Sequence, residues 1–386
     1  MHASNLPYTA RPSEGVAGFV PSLPTLRKVV EKYPSPQIDL VLIAHILDTA
    51  VPYVETLSGA MDMTAAIAVP YSARKDVCQS LNKNVPLFVP PGIDEIGTMA
   101  IDLMKKRAAT SSNPAVIQEV GGYCAPHVHS AAEESAFAGF VEDTKQGHWR
   151  YEQIGELPVP VFSIADSPLK ALEDTQVGRS IAYSADRILR SRFYQLLAET
   201  KVGVLGYGGI GKALTDSLRS LGADVGVYDV DSVRMCKAVT DGHKVYDRSD
   251  LLRRSDLILG VSGHRSMGLE DFRLLRQGAV VGSGSSKQVE FDVAAVESAA
   301  QVSDRAGEVT EYRLDDSSFF LLNDGKPINF LDQSILGDVL DLVYSELYMC
   351  TRELVVSPPG PGLHRLNPDM QQEIAAIWCD DHGVRL

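Results

Sequence analysis

At 386 residues the chain is longer than the roughly 250 to 300 at which one core stops growing, and its 45% apolar and 22% charged residues exclude a disordered or fibrous polymer in favour of two globular domains. A net charge of −14 with no basic run excludes nucleic acid and anionic membranes as partners. No apolar stretch approaches the roughly 20 residues of a membrane span, and Met1-His-Ala-Ser-Asn-Leu-Pro7 has neither the basic nor the apolar region of an export signal, so the expected location is cytoplasmic.

In chain order, Ile38 to Ala44 is a continuous apolar run suited to a buried parallel strand, followed by a helix over Thr49 to Leu57 and a second strand over Ala65 to Val69. A helix over Ala73 to Leu81, a strand over Val85 to Val89, a helix over Asp94 to Lys106 and a strand over Ala115 to Gln118 continue the alternation. After a polar stretch come a strand at Val159 to Ala165 and a long helix over Arg179 to Thr200. Alternating strands and helices predict an α/β architecture with parallel sheets, and the junction between domains is placed near residue 180. Five cysteines without a CxxC pair are read as reduced and mostly buried. His127 and His129 have chelate spacing but no third ligand nearby, so no metal is expected.

The strongest signal is Val202-Gly-Val-Leu-Gly206-Tyr207-Gly208-Gly209-Ile210-Gly211, a glycine pattern set between an apolar strand and an amphipathic helix. Gly206 permits the tight turn, Gly208 lets the backbone approach a pyrophosphate, and Gly211 lets helix pack closely on strand, with the phosphates at the helix N-terminus. The next strand ends in Asp229, 23 positions after Gly206, where a carboxylate bonds ribose hydroxyls and repels a 2′-phosphate. NAD is the expected cofactor. Asp224 and Asp231 are read as solvated surface acids. Further strands at Leu257 to Val261 and Ala279 to Gly282 carry this domain to about residue 334, and the loop Ser262-Gly263-His264 is expected to pass the nicotinamide ribose with backbone contacts.

Glu142-Asp143-Thr144-Lys-Gln-Gly147, Ala165-Asp-Ser-Pro-Leu-Lys170-Ala-Leu-Glu-Asp174, the glycine loop and Gln288-Val-Glu-Phe-Asp292 together resemble the S-adenosylhomocysteine hydrolase family. A further match, Ala44-His45-Ile-Leu-Asp-Thr-Ala-Val, lies at the expected place. The resemblance implies two doubly wound domains: a substrate domain over residues 1–180 and 335–386, and a Rossmann NAD domain over 181–334. It also implies NAD used without net turnover, to oxidise a ribose hydroxyl, permit elimination and addition at neighbouring carbons, and be restored. It assigns Lys170 and Asp174 to the hydroxyl being oxidised, His45 to the leaving group, Asp143 to substrate, and Thr144 and Asn329 to the cofactor region. Burial is expected to lower the Lys170 pKa toward the working range.

Several positions depart from the family. Val120 stands where the family has a proton-abstracting Asp, with Glu119 next door; Thr175 replaces an Asn and Ser286 a His; the Gly-His-Pro loop and the Lys- and Tyr-bearing tail have no counterpart. Because these changes fall on substrate and proton-transfer positions, the expected activity is NAD chemistry on a changed small molecule, nucleoside-like or another polyol. A dehydrogenase with net redox turnover and an NAD-binding regulator are the alternatives, and a homo-oligomer, dimer or tetramer, is expected.

Overall fold

A computed structural model describes residues 8–13, 16–335 and 337–384. The segment Met1 to Pro7, read above for export signals, lies outside them. The chain forms two compact units, residues 1–173 with 336–386 and residues 174–335.

The first unit is built on seven parallel strands. Their spatial order is Gly362–His364, Pro160–Ser163, Phe137–Glu142, Ala115–Glu119, Asp39–Ala44, Asp62–Ala68 and Leu87–Phe88. Leu40 and Leu42 enter one apolar cluster while Val41 and Ile43 enter another, so the central strand is buried on both faces, as its unbroken apolar run required. From Asp39–Ala44 the chain builds outward through the next two strands, then crosses back to Ala115–Glu119 on the other side. The sheet therefore reverses direction between these two strands, and their carboxyl ends, at Ala44 and Glu119, flank the crevice where such sheets place ligands.

The second unit has eight strands in the order Lys244–Val245, Asp224–Tyr228, Lys201–Leu205, Leu257–Gly260, Ala279–Ser283, Ser317–Leu322, Val309–Leu314 and Gln301–Ala306. The first six are parallel, Val309–Leu314 runs against them and Gln301–Ala306 pairs antiparallel with it in turn, so the sheet is mixed rather than wholly parallel. The antiparallel ribbon escapes a helix-strand reading because Gln301–Ala306 is exposed along its whole length and carries no apolar face. Here the order reverses between Lys201–Leu205 and Leu257–Gly260, which puts the crevice at Gly206 and Val261.

Other elements differ from expectation as well. The strand Phe137–Glu142 was not expected, because its Ala138 and Gly139 are poor strand formers. Gly139 is there because a side chain would strike the Pro160 carbonyl of the adjoining strand. The long helix runs Pro168–Ile188, eleven residues earlier than read; Pro168 opens it and Ser167 Oγ accepts from Leu169 N at 3.0 Å. It ends in a π-turn, Leu189–Phe193, closed by Tyr194 in the left-handed region at φ 53°. Cys78, Cys124 and Cys350 are buried, Cys236 is exposed and Cys379 half-buried, all free thiols. Among the described residues no group of three or more His, Cys, Asp or Glu could hold a metal, and no helix is long and apolar enough to cross a membrane.

Candidate active site and cofactor cradle

In the second unit the glycine loop has the geometry its sequence demanded. Gly206 sits at φ 109°, and a Cβ there would lie 2.9 Å from the Ser262 backbone. A Cβ on Gly211 would strike the Gly206 carbonyl, which is how the helix Gly209–Ser220 lies so tightly on its strand. Gly208 is different: a Cβ there would meet, among the described residues, only Arg234 Nη1 at 3.9 Å, so the backbone is open on the side a pyrophosphate needs. Gly209 is kept bare by the Asp174 carboxylate, which fills the space a side chain would take.

Asp229 is buried at the end of Asp224–Tyr228 and accepts from Tyr207 N at 2.6 Å and Asp231 N at 2.8 Å. The Tyr207 ring is turned into the unit, its hydroxyl donating to Asp241 at 2.8 Å, so the loop offers its backbone rather than that ring. Ile210 packs on the core beneath. The two acids read as solvated have defined work. Asp231 caps the helix Ser232–Thr240 through Val233 N and Arg234 N, and Asp224 pairs with Lys244 at 2.7 Å and Arg254 at 2.6 Å.

The loop after Leu257–Gly260 is braced by a residue the sequence reading quoted without a role. Glu290, fully buried, accepts from Gly263 N at 2.7 Å and Ser262 Oγ at 2.9 Å, and also from Ser285 Oγ. Burial pushes its carboxyl up, against the opposing pull of these donors. His264 is exposed, and its backbone N–H donates to Ser262 Oγ at 3.1 Å. Asn329 is 3% exposed and its Oδ1 has no hydrogen-bond partner among the described residues. A buried acceptor without a donor suits a ligand donor such as a carboxamide NH₂. The open Gly208, the acid at 229 and this acceptor fit NAD.

The first unit carries the proposed chemistry. Lys170, almost enclosed, pairs with Asp143 at 2.7 Å and with Glu173 one turn on. Burial alone would lower the lysine pKa, as expected above; the two carboxylates outweigh it and the pKa is raised, so that expectation is corrected and Lys170 is a fixed ammonium. Tyr344 lies against the same acids, whose charges together with burial hold its phenol protonated, and its ring stacks on Tyr53 at 4.1 Å. Tyr53 donates to Gln118 at 2.9 Å. Sequence reasoning missed Glu173 and Tyr344. Glu173 was visible as a carboxylate at i+3 from Lys170, whereas Tyr344 comes from the distant helix Val339–Val356 and left no local signal.

His45 follows the strand Asp39–Ala44, with Nδ1 2.7 Å from Ser72 Oγ. Since that hydroxyl donates to the Val69 carbonyl at 3.1 Å, it accepts from Nδ1–H, which leaves Nε2 as the basic nitrogen. Thr144 caps the helix Lys145–Glu152, accepting from Gly147 N at 3.1 Å and donating to Glu142 at 2.6 Å. Glu142 also receives Gly121 N and Gly122 N at 2.9 and 2.8 Å, and stands beside Glu119 on the paired strand. Burial and the Glu119 charge raise the Glu142 carboxyl to about 8. Glu119 faces inward onto Tyr151 and Cys124 N, so the carboxylate beside Val120 is committed to the core.

Residues 183–334 match the family described as S-adenosyl-L-homocysteine hydrolase, NAD binding domain. Over 94% of its length the chain is 27% identical to the adenosylhomocysteinase of Thermotoga maritima, covering 93% of that protein. It is 28% identical to the Archaeoglobus fulgidus adenosylhomocysteinase over 84% of its length and 83% of that protein's. It is 24% identical to the S-inosyl-L-homocysteine hydrolase of Methanosarcina mazei, over 96% and 92% of the two chains. NAD is therefore the cofactor: residues 183–334 match the NAD-binding domain of S-adenosyl-L-homocysteine hydrolases, and the chain as a whole is similar to adenosylhomocysteinases over most of its length.

Proposed function

We propose that this enzyme oxidises a hydroxyl of a nucleoside or related polyol transiently, so that a substituent on a neighbouring carbon can be eliminated or added, and then restores the hydroxyl. Bound NAD supplies the oxidising and reducing equivalents. The observation that carries the reading is the Asp143–Lys170–Glu173 cluster, two carboxylates about a buried ammonium at the carboxyl end of a parallel strand.

In this reading Lys170 does not take the hydroxyl proton. Its fixed charge stabilises the oxygen as negative charge develops, an electrostatic role that desolvation strengthens. The proton passes to a neighbouring carboxylate, for which Asp143, Glu173 and Asp174 are the candidates, the last from the motif. His45, with Nε2 basic, serves the leaving group from the adjoining strand end. Cofactor groups at the other unit are held by Gly206 to Gly211, Asp229, the Ser262–His264 backbone and Asn329. Relatives named for adenosyl and for inosyl substrates support a family scaffold that accepts different bases on a shared sugar, which is the part this cluster would handle.

The test is the absorbance of reduced nicotinamide in purified protein given a panel of nucleosides and simple polyols. Transient or trapped reduction with one compound, without net NAD consumption, supports the proposal and names the substrate class. Sustained stoichiometric reduction means a dehydrogenase instead. Cofactor that never changes with any compound sinks the reading and leaves an NAD-binding regulator. Lys170→Met should abolish the transient signal while leaving NAD bound.

A further inference from the structure

The cofactor cradle holds a cation that neither the glycine motif nor the family resemblance assigns. Asp231 caps the helix Ser232–Thr240, accepting from Val233 N at 2.8 Å and Arg234 N at 3.4 Å, and so plants Arg234 in its first turn. From there the guanidinium stands 3.9 Å from where a Cβ of Gly208 would be, over the stretch of backbone left bare for phosphate. It lies 3.6 Å from Asp229 Oδ2 and 3.8 Å from Asp231 Oδ2. Both distances exceed a hydrogen bond, so these acids orient the guanidinium without using up its donors. The side chain is 46% exposed and open to a ligand.

The local charge makes the position matter. Asp229 and Asp231 meet at this corner of a chain of net charge −14, Asp241 nearby being paired with Lys212 and Lys237, and a dianionic pyrophosphate entering it would be repelled. The helix N-terminus beginning at Gly209 offsets part of that. A guanidinium adds a planar fork of donors matched to phosphate oxygens. We propose that Arg234 is a further cofactor-binding residue, which donates to the pyrophosphate of NAD as it crosses Gly208.

The test is calorimetric binding of NAD, ADP-ribose, NADP and adenosine to the full chain and to Arg234→Gln and Arg234→Lys. Arg234→Gln should weaken NAD and ADP-ribose alike by roughly tenfold or more, the loss expected for a charged hydrogen bond. It should flatten the salt dependence of NAD binding, spare adenosine and leave the melting curve unchanged. Unchanged NAD affinity overturns the proposal. So does a loss shared equally by adenosine, which would mean a structural role, and so does a loss confined to NADP, which would place the guanidinium at the 2′-position. If Arg234→Gln fails to fold, Arg234→Lys decides: NAD weakened several-fold with adenosine unchanged supports the contact, and wild-type affinity for NAD overturns it.

Discussion

Lys170 shows how a residue type can be legible while its state is not. Its place in the motif singled it out, and burial argued for a pKa lowered toward the working range. Asp143 and Glu173 reverse that, because two carboxylates within ion-pair range favour the charged form more than desolvation opposes it. Glu173→Gln should therefore lower the lysine pKa and raise its rate of acylation by an amine reagent at alkaline pH, followed by mass spectrometry of the Lys170 peptide. An unchanged rate would mean that Asp143 alone sets the charge. Glu290 makes the parallel case in the second unit. Truncation to Ala strips the acceptor from Gly263 N, Ser262 Oγ and Ser285 Oγ, and the loop they hold should loosen. Glu290→Ala is expected to weaken NAD by roughly tenfold, about 1.4 kcal/mol. Glu290→Gln, which still accepts from Gly263 N, should recover much of it; equal loss in both variants would tie the effect to charge rather than to loop geometry.

At the level of elements, the strands buried on both faces and the glycine turn could be read because each is dictated locally. A run such as Leu40-Val-Leu-Ile43 has no other compact use, and Gly206 at φ 109° needs glycine whatever surrounds it. What escaped reading depends on partners far along the chain. Phe137–Glu142 is a strand because its neighbours on both sides are strands, and Gly139 reflects the Pro160 carbonyl rather than its own sequence. The candidate site divides the same way, with Lys170, Asp143 and His45 carried by motifs and Tyr344 supplied by a helix some 170 residues away. Helix ends are set at similar distance: the helix Pro24–Lys32 has no cap of its own, and Asp341 supplies it, accepting from Thr25 N and Leu26 N at 2.8 Å each. Asp341→Ala should leave those two buried donors unmet and reduce stability by about 1 to 3 kcal/mol in urea unfolding. A smaller effect would mean that water replaces the carboxylate.

The balance of buried acids sets how the whole molecule responds to pH. Glu142 is raised from its ordinary 4.5 to about 8 by burial and by Glu119, and Asp341 from 3.8 to about 6, chiefly by burial. For both, the folded chain holds protons that the unfolded chain has released, so stability falls as pH rises from about 4 toward 8. Glu308 runs the other way. Hydrogen bonding to Arg192 lowers it to about 2, and its contribution is complete above 4.5 and lost as pH falls through 2. Between pH 6 and 8 the raised group at Glu142 dominates the titration among these three, Asp341 adding only the end of its own near pH 6, and since Glu142 acts as a pair with Glu119 the proton belongs to both. Urea unfolding should therefore show stability lower at pH 8 than at pH 6 by about 2 kcal/mol, the linkage expected when one proton is held through most of that interval. Working above pH 6 keeps the protein clear of its isoelectric point near 5.1, where association would confuse the measurement. Glu119→Gln removes the neighbouring charge, so Glu142 should ionise at lower pH and the slope between pH 6 and 8 should flatten, whatever the variant's absolute stability. A slope unchanged in Glu119→Gln would place the proton elsewhere. Stability flat across the interval in the wild-type chain would mean that the four donors around Glu142, from Gly121, Gly122 and both groups of Thr144, keep it ionised despite its burial.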